Sequence, residues 1–217
     1  MPRVSFFIDG FNFYHSLNDP KYFRHPLYPK GTPKYRKYLW LDYFKFLTQH
    51  YLPEQGTTSD IFYFSAYAHH RSKRSVRTHQ LLVEAWESTG ITAVLGNFKQ
   101  KHRFCTNCHK YVKAHEEKET DVNIAIYLLN EAYKNTYDIA ILVTNDTDLV
   151  PAITMLKNTH PQKEIGVLFP LDRSSADLKR VSDFVKYTDK KHLGRCQFPD
   201  TITLPSGYKF SKPAKYV

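Results

Sequence analysis

Asp9, Asp121, Asp146 and Asp148 are the residues whose type and placement could do chemistry. Asp9 closes an apolar run, Val4–Ile8, within Ile8-Asp9-Gly10-Phe11-Asn12. Asp146 and Asp148 follow a second apolar run, Ile139–Val143, in Thr144-Asn145-Asp146-Thr147-Asp148. Asp121 opens a helix-like segment before that run, in Glu117-Lys118-Glu119-Thr120-Asp121-Val122. Two carboxylates 4 Å apart repel by roughly 4 kcal/mol at an effective dielectric of about 20, so protons or a cation must neutralise a cluster of them. Oxygen-only ligands select Mg²⁺ or Mn²⁺ over Zn²⁺. Such a metal can position and activate water and stabilise charge on a phosphodiester undergoing in-line displacement. Each acid taken singly also fits a helix cap or first turn. Asp9 weighs against that simpler reading, because a charge directly after a buried apolar strand carries a desolvation cost.

The elements that must position these acids are legible as alternating patterns. Val4–Ile8, Ile61–Tyr67, Ile91–Leu95, Ile139–Val143 and Ile165–Phe169 are short, apolar and rich in Val, Ile or Phe, as strands buried on both faces should be. Tyr38–His50, Lys73–Ser88, Asp121–Lys134 and Asp146–Asn158 read as helices; in the third, Val122, Ala125, Leu129 and Ala132 share one face. The alternation predicts an α/β fold, a three-layer α/β/α sandwich around a mostly parallel sheet. Sites on such sheets form beyond the carboxyl ends of the strands, which puts all four aspartates within reach of one edge. The expected organisation is one domain over residues 1–190, interrupted by a basic insertion at 20–37 and a hairpin-like excursion at 98–116. Residues 191–217, proline-punctuated and without helical period, are expected to form an extended arm packed on the domain.

At the acidic residues the chain resembles the NYN family, a branch of the PIN-like metal-dependent nucleases. The resemblance is carried by an ordered set of motifs. A D-G-x-N after the first strand is Asp9-Gly10-Phe11-Asn12. An E-K-x-x-D-V is Glu117 to Val122, and a [ST]-x-D-x-D-[FL]-x-P is Thr144 to Pro151. A later S-x-x-L-x-x-x-[AS]-D-x-F is similar to Ser175 through Phe184, with Ser174 an equally good start. The resemblance implies a PIN-like α/β/α fold, Mg²⁺ or Mn²⁺ dependence and cleavage of RNA. It assigns Asp9, Asp121, Asp146 and Asp148 to catalysis and the metal, with Asn12 and Thr144 as supporting polar groups and Lys118 as a phosphate contact. The sequence departs from the family pattern at Glu119, where the family often has glycine. Glu117 and Glu119 would add further charge beside the metal.

Composition points to the partner. A formal charge of +10 in 217 residues, with pI near 9.4, asks for a polyanion, either nucleic acid or an anionic membrane surface. The 16 Tyr and 15 Phe are many for this length; some must fill the core, and rings interleaved with cations also suit base stacking. Two basic stretches are candidate nucleic-acid contacts: Lys21–Lys37, through Arg24, Lys34 and Arg36, and the helix start after Ile61–Tyr67, through Arg71, Lys73 and Arg74. Both also fit an ordinary solvated face. Cys105 and Cys108 form one CxxC, a candidate structural zinc pair whose remaining ligands would come from His102, His109, His115 or Cys196, or else a reduced pair in a turn. Three cysteines argue against a disulfide framework. No apolar run is long enough to span a bilayer and no export signal is visible, so a cytoplasmic protein without a membrane partner is expected. Homo-oligomerisation is left open. The function that joins these features is a metal-dependent endoribonuclease. The alternatives are a non-catalytic RNA-binding module, equally served by positive charge, and another Mg²⁺-dependent phosphoryl-transfer enzyme. No G-x-x-x-x-G-K-[ST] is present to support a P-loop NTPase.

Overall fold

The computed structural model describes residues 1–18, 35–105 and 109–216. Seven strands form the main sheet: β1 (Arg3–Asp9), β2 (Thr57–Ala66), β3 (Ile91–Cys105), β4 (Lys110–Lys118), β5 (Ile139–Val143), β6 (Glu164–Phe169) and β7 (Phe184–Tyr187). Their order is β4-β3-β2-β1-β5-β6-β7, parallel throughout except for the antiparallel β3–β4 pair. The helices are α1 (Gly10–Asn18), α2 (Tyr43–His50), α3 (Lys73–Glu87), α4 (Thr120–Tyr133), α5 (Val150–Thr159), α6 (Ala176–Val181) and α7 (Lys190–Arg195).

The period of two along the strands builds two cores. Val4, Phe6 and Ile8 of β1, with Ile139, Ile141 and Val143 of β5, face a cluster closed by Phe13 of α1, Phe46 of α2, Leu82 and Trp86 of α3 and Leu193 of α7. Phe7, Ala140 and Leu142 alternate to the opposite face, where Ile124 and Leu128 of α4, Ile153 and Leu156 of α5 and Leu178 of α6 cover them. The three-layer sandwich expected from the alternation is therefore the fold. The chain leaves β1 towards β2 on one side and returns through α4 to β5 on the other. The order reverses between β1 and β5, and a crevice opens there at their carboxyl ends.

Several boundaries differ from the sequence expectation, for tertiary reasons. The helix expected from Tyr38 begins at Tyr43, capped by Asp42, whose carboxylate accepts the Lys45 N–H at 3.0 Å. The residues just before it are drawn into the core. Trp40 is buried and donates Nε1–H to Pro199 O, and Leu41 bridges Gln197 and accepts the Trp86 Nε1–H. The segment expected as a helix from Asp146 starts with a 3₁₀ turn at Thr147–Leu149, followed by α5 with Pro151 in its first turn. β3 runs on to Cys105, well past Leu95, because beyond Gly96 it exchanges β2 for β4 as its partner. A Cβ at Gly96 would lie 2.5 Å from the Lys118 carbonyl oxygen, so the two backbones approach this closely only at glycine.

After α7, β8 (Thr201–Thr203) and β9 (Lys209–Ser211) pair as a small antiparallel ribbon. Ile202, Leu204, Phe210 and Tyr216 join the first core, with the Phe210 ring 5.3 Å from Trp40 edge-to-face. Among the described residues no helix is long and apolar enough to cross a membrane.

Gly10 opens α1 directly under Tyr63. A Cβ there would fall 2.5 Å from the tyrosine ring, which is itself wedged between Tyr43 and Trp86. Gly10→Ala is expected to lower stability by about 1–3 kcal/mol through overpacking, read as a fall in the urea midpoint without a change in slope.

Candidate metal centre

Asp9 is the last residue of β1 and is 3% exposed. The local sequence explains why its carboxylate is fixed. The chain turns into α1 immediately after it, so the Asn12 N–H comes round to donate to Asp9 Oδ1 at 2.9 Å. Directly after the neighbouring β5, buried Thr144 donates its hydroxyl to Asp9 Oδ2 at 2.8 Å. Thr144 Oγ1 in turn accepts the Asp146 N–H at 3.0 Å, and Asn12 Oδ1 accepts the Asn145 N–H at 3.2 Å. The polar residues expected to support the acids, Asn12 and Thr144, thus tie the β1–α1 turn to the loop after β5.

Asp146 lies on that loop and Asp121 in the first turn of α4. One carboxylate oxygen from each of Asp9, Asp121 and Asp146 lies within 4.8 Å of the other two. Asp148 stands outside this trio. It is exposed, its N–H donates to Asp146 Oδ1 at 3.0 Å, and its charge still bears on Asp121. Burial first, then the charges of Asp121 and Asp146, push the Asp9 carboxyl up to about 7 against the pull of its two hydrogen bonds. Asp121 is pushed above the usual carboxylate range by desolvation, then by Asp146 and Asp148. This donor set fits a hard divalent cation: three oxygens from separate elements converge, and their charge is only partly compensated by hydrogen-bond donors.

Glu117, at the end of β4, belongs to the same acidic group. Its carboxyl accepts the Thr120 hydroxyl at 2.6 Å and is pushed up to about 7, by desolvation first and then by Asp9 and Asp121. Glu119 sits at φ 78°, the left-handed region, and accepts a hydrogen bond from Asn97 Nδ2 at 2.9 Å. That φ is the conformation glycine adopts freely, which accounts for glycine being frequent here in the resembled family.

These groups line a cleft of about 410 Å³ whose walls are Asp9, Asn12, Glu116, Glu117, Asp121 and Asp146, with Phe11, His15 and Arg173 among their neighbours. Arg173 escaped the sequence reading. It follows the carboxyl end of β6, in a turn closed by its N–H to Pro170 O, and that position was the available signal. Lys118 is paired with Glu116 at 3.2 Å. Arg71, Lys73 and Arg74 are exposed just past the carboxyl end of β2, on the acidic edge of the sheet. Arg36 donates to Asn18 Oδ1 at 3.0 Å, at the far end of α1, roughly 12 Å of helix from Asp9. Arg24, Lys34 and Cys108 lie outside the described residues, as does the side chain of Cys105, and with them the zinc question. Cys196 is buried in the first core. The fourth motif is structural: Ser175 caps α6 through the Leu178 N–H, and Asp183 binds Lys157 and the Ile165 N–H.

The family model for the NYN domain matches residues 3–189. A protein named 6-hydroxy-3-succinoylpyridine 3-monooxygenase HspA, from Pseudomonas putida (strain DSM 28022 / S16), is 26% identical over 242 residues, covering 92% of this chain and 71% of that protein. The crystal structure of VPA0982, a protein of unknown function from Vibrio parahaemolyticus RIMD 2210633, has a TM-score of 0.52 and 16% identity. It covers 87% of this chain and 94% of that one, which establishes a common fold.

The strain at Glu119 is testable. Glu119→Gly and Glu119→Ala both lose the bond to Asn97, but only glycine relieves the left-handed backbone. Glu119→Gly should therefore be more stable than Glu119→Ala by about 1 kcal/mol, measured by thermal or urea unfolding. Equal stabilities would show that the left-handed conformation costs nothing here.

Proposed function

The chain belongs to the NYN domain family, a PIN-like nuclease family, and on that premise we propose that it is a divalent-metal-dependent ribonuclease hydrolysing RNA phosphodiester bonds. The observation that carries the proposal is the convergence of Asp9, Asp121 and Asp146 oxygens from three elements at the β1/β5 crevice.

In this reading Asp9, Asp121 and Asp146 hold Mg²⁺ or Mn²⁺, and Asp148 adds negative charge beside them. When bound, the metal supplies Lewis-acid activation of water and stabilisation of charge on the phosphodiester. The protein's own contribution is preorganisation. Thr144 and the Asn12 N–H fix both oxygens of Asp9, so this side chain needs no ordering on binding. Asn12 locks the loop that carries Asp146. Glu117, its carboxyl pushed up to about 7, can accept or release a proton within the cleft near neutral pH. Arg173 supplies positive charge on the cleft wall, and Arg71, Lys73 and Arg74 draw the strand to the same edge.

The name of the Pseudomonas relative raises a second reading, oxidation of an aromatic ring. Such chemistry consumes electrons from a reductant, whereas hydrolysis needs water alone. Protein supplied only with Mn²⁺ and single-stranded RNA should cut the strand without any electron donor. Failure to cut, with oxygen consumption on addition of NADH and a hydroxypyridine, would replace the proposal with that reading.

Asp146→Asn should abolish cleavage. Thr144→Val, which leaves the ligands in place but frees Asp9, should lower it by roughly 10- to 100-fold. Cleavage that survives Asp146→Asn would refute the assignment.

The raised carboxyls also set a pH dependence. Asp9 and Glu117 titrate near 7 in the fold and near 4 when unfolded. The folded state therefore holds extra protons across that interval, and the metal-free protein loses stability as pH rises from about 4 to about 7. A cation competes with those protons. Thermal stabilisation by saturating Mn²⁺ should accordingly be larger at pH 8 than at pH 5, and a pH-independent shift would show that these carboxyls do not take the ion.

A further inference from the structure

Beside the carboxylate cleft, the end of β2 and the base of the β3–β4 hairpin enclose a second hollow of about 540 Å³. Its chemistry is different. The first cleft is walled by acids, whereas the second is lined by Tyr67, His69, His70, Phe98, Gln100 and His115 among others, with no carboxylate. The two are joined by a run of rings. His15 and Phe11, on the wall of the first, lie 4.4 Å apart; Phe11 meets Phe98 at 5.9 Å; Phe98 meets His70 at 4.9 Å. His70 then stacks on His115 at 4.0 Å with their planes 8° apart. His70 and His115 are exposed and Phe98 half-buried, so ring surface remains open to the hollow. Partial burial, then the neighbouring His115 and Arg71, lower the His70 pKa.

We propose that this hollow is a nucleobase subsite, in which an unpaired base of the RNA stacks against Phe98 and His70 while a neighbouring phosphodiester lies at Asp9, Asp121 and Asp146. The inference rests on the nuclease reading and specifies its substrate as single-stranded at this position, because a duplex keeps its bases stacked on each other and out of reach. Three features favour a base. A ring face offers sequence-tolerant stacking to every base. Gln100 offers amide donors and an acceptor to a base edge. Arg71, Lys73 and Arg74, following His70 in the chain, stand ready for the flanking phosphates.

The test uses a single-stranded oligoribonucleotide carrying 2-aminopurine, bound to the Asp146→Asn protein in Mg²⁺ so that the strand stays intact. Stacking should quench the 2-aminopurine fluorescence. Adding Phe98→Ala or His70→Ala should weaken binding about tenfold, equivalent to about 1.4 kcal/mol, and remove the quenching. Phe98→Trp should keep both, and binding of double-stranded RNA should be unaffected throughout. Arg71→Ala should reduce the salt dependence of binding while leaving the quenching intact. Circular dichroism confirms that each variant is folded.

Phe98→Ala and His70→Ala proteins that bind within twofold of the parent, with the quenching retained, overturn the subsite and leave the rings as packing alone. If the unmutated protein still cuts RNA in an Asp146-dependent way, that result removes the subsite and spares the nuclease reading. A wild-type protein that neither binds nor cuts RNA overturns both.

Discussion

The structure turns on the electrostatic problem created by ending a fully buried strand with a carboxylate. Asp9 lies at the interior edge of the sheet, and two further aspartates face it within 4.8 Å. Desolvation and like charge both disfavour its ionised form. The fold opposes them with two donors, Thr144 and the Asn12 N–H, and these also fix the carboxylate in one orientation. What the donors leave uncompensated is the driving force for a cation. The same interactions that limit the cost of burying Asp9 therefore also hold it in one orientation beside Asp121 and Asp146, a group that could hold a metal ion.

Topology supplies the convergence. β1 and β5 are adjacent in the sheet yet far apart in sequence, and the strand order reverses between them. Turns after both strands must open to the same side, so D-G-x-N and the Thr144–Asp148 loop meet there. The antiparallel β3–β4 hairpin adds the third wall. It leaves the parallel sheet at Gly96, where only glycine lets the Lys118 backbone come close, and delivers Glu117 and the first turn of α4 to the crevice. Glu119 makes that delivery in a left-handed conformation unfavourable for its own side chain.

Family membership and function separate at this point. The chain shares the NYN fold and the acidic group, and a relative at 26% identity bears the name of a monooxygenase. One scaffold can carry more than one chemistry when the residues around a common site change. In this protein the surroundings that matter are Glu117, Arg173 and the ring-lined hollow beyond Phe98.

By itself the sequence determined the layer architecture and the identity of the central acids. Period-two alternation and uninterrupted apolar runs follow from burial on both sheet faces, and a charge straight after such a run stands out in one dimension. Asn12 and Thr144 were likewise legible, as part of the motifs. The tertiary structure decided what depended on partners distant in the chain. Trp40 and Leu41 left a helical pattern because residues near 197–199 supplied their hydrogen bonds. Asp148, a motif residue equal to Asp146 on paper, lies outside the trio and gives its backbone N–H to the Asp146 cap. Arg173 arrived in the turn after β6, and Lys118 turned to Glu116. The physical reason is common to all of them. Burial periodicity is written locally along the chain, whereas the direction of a polar side chain is set by whichever charge or hydrogen-bond partner the fold places within about 3 Å of it.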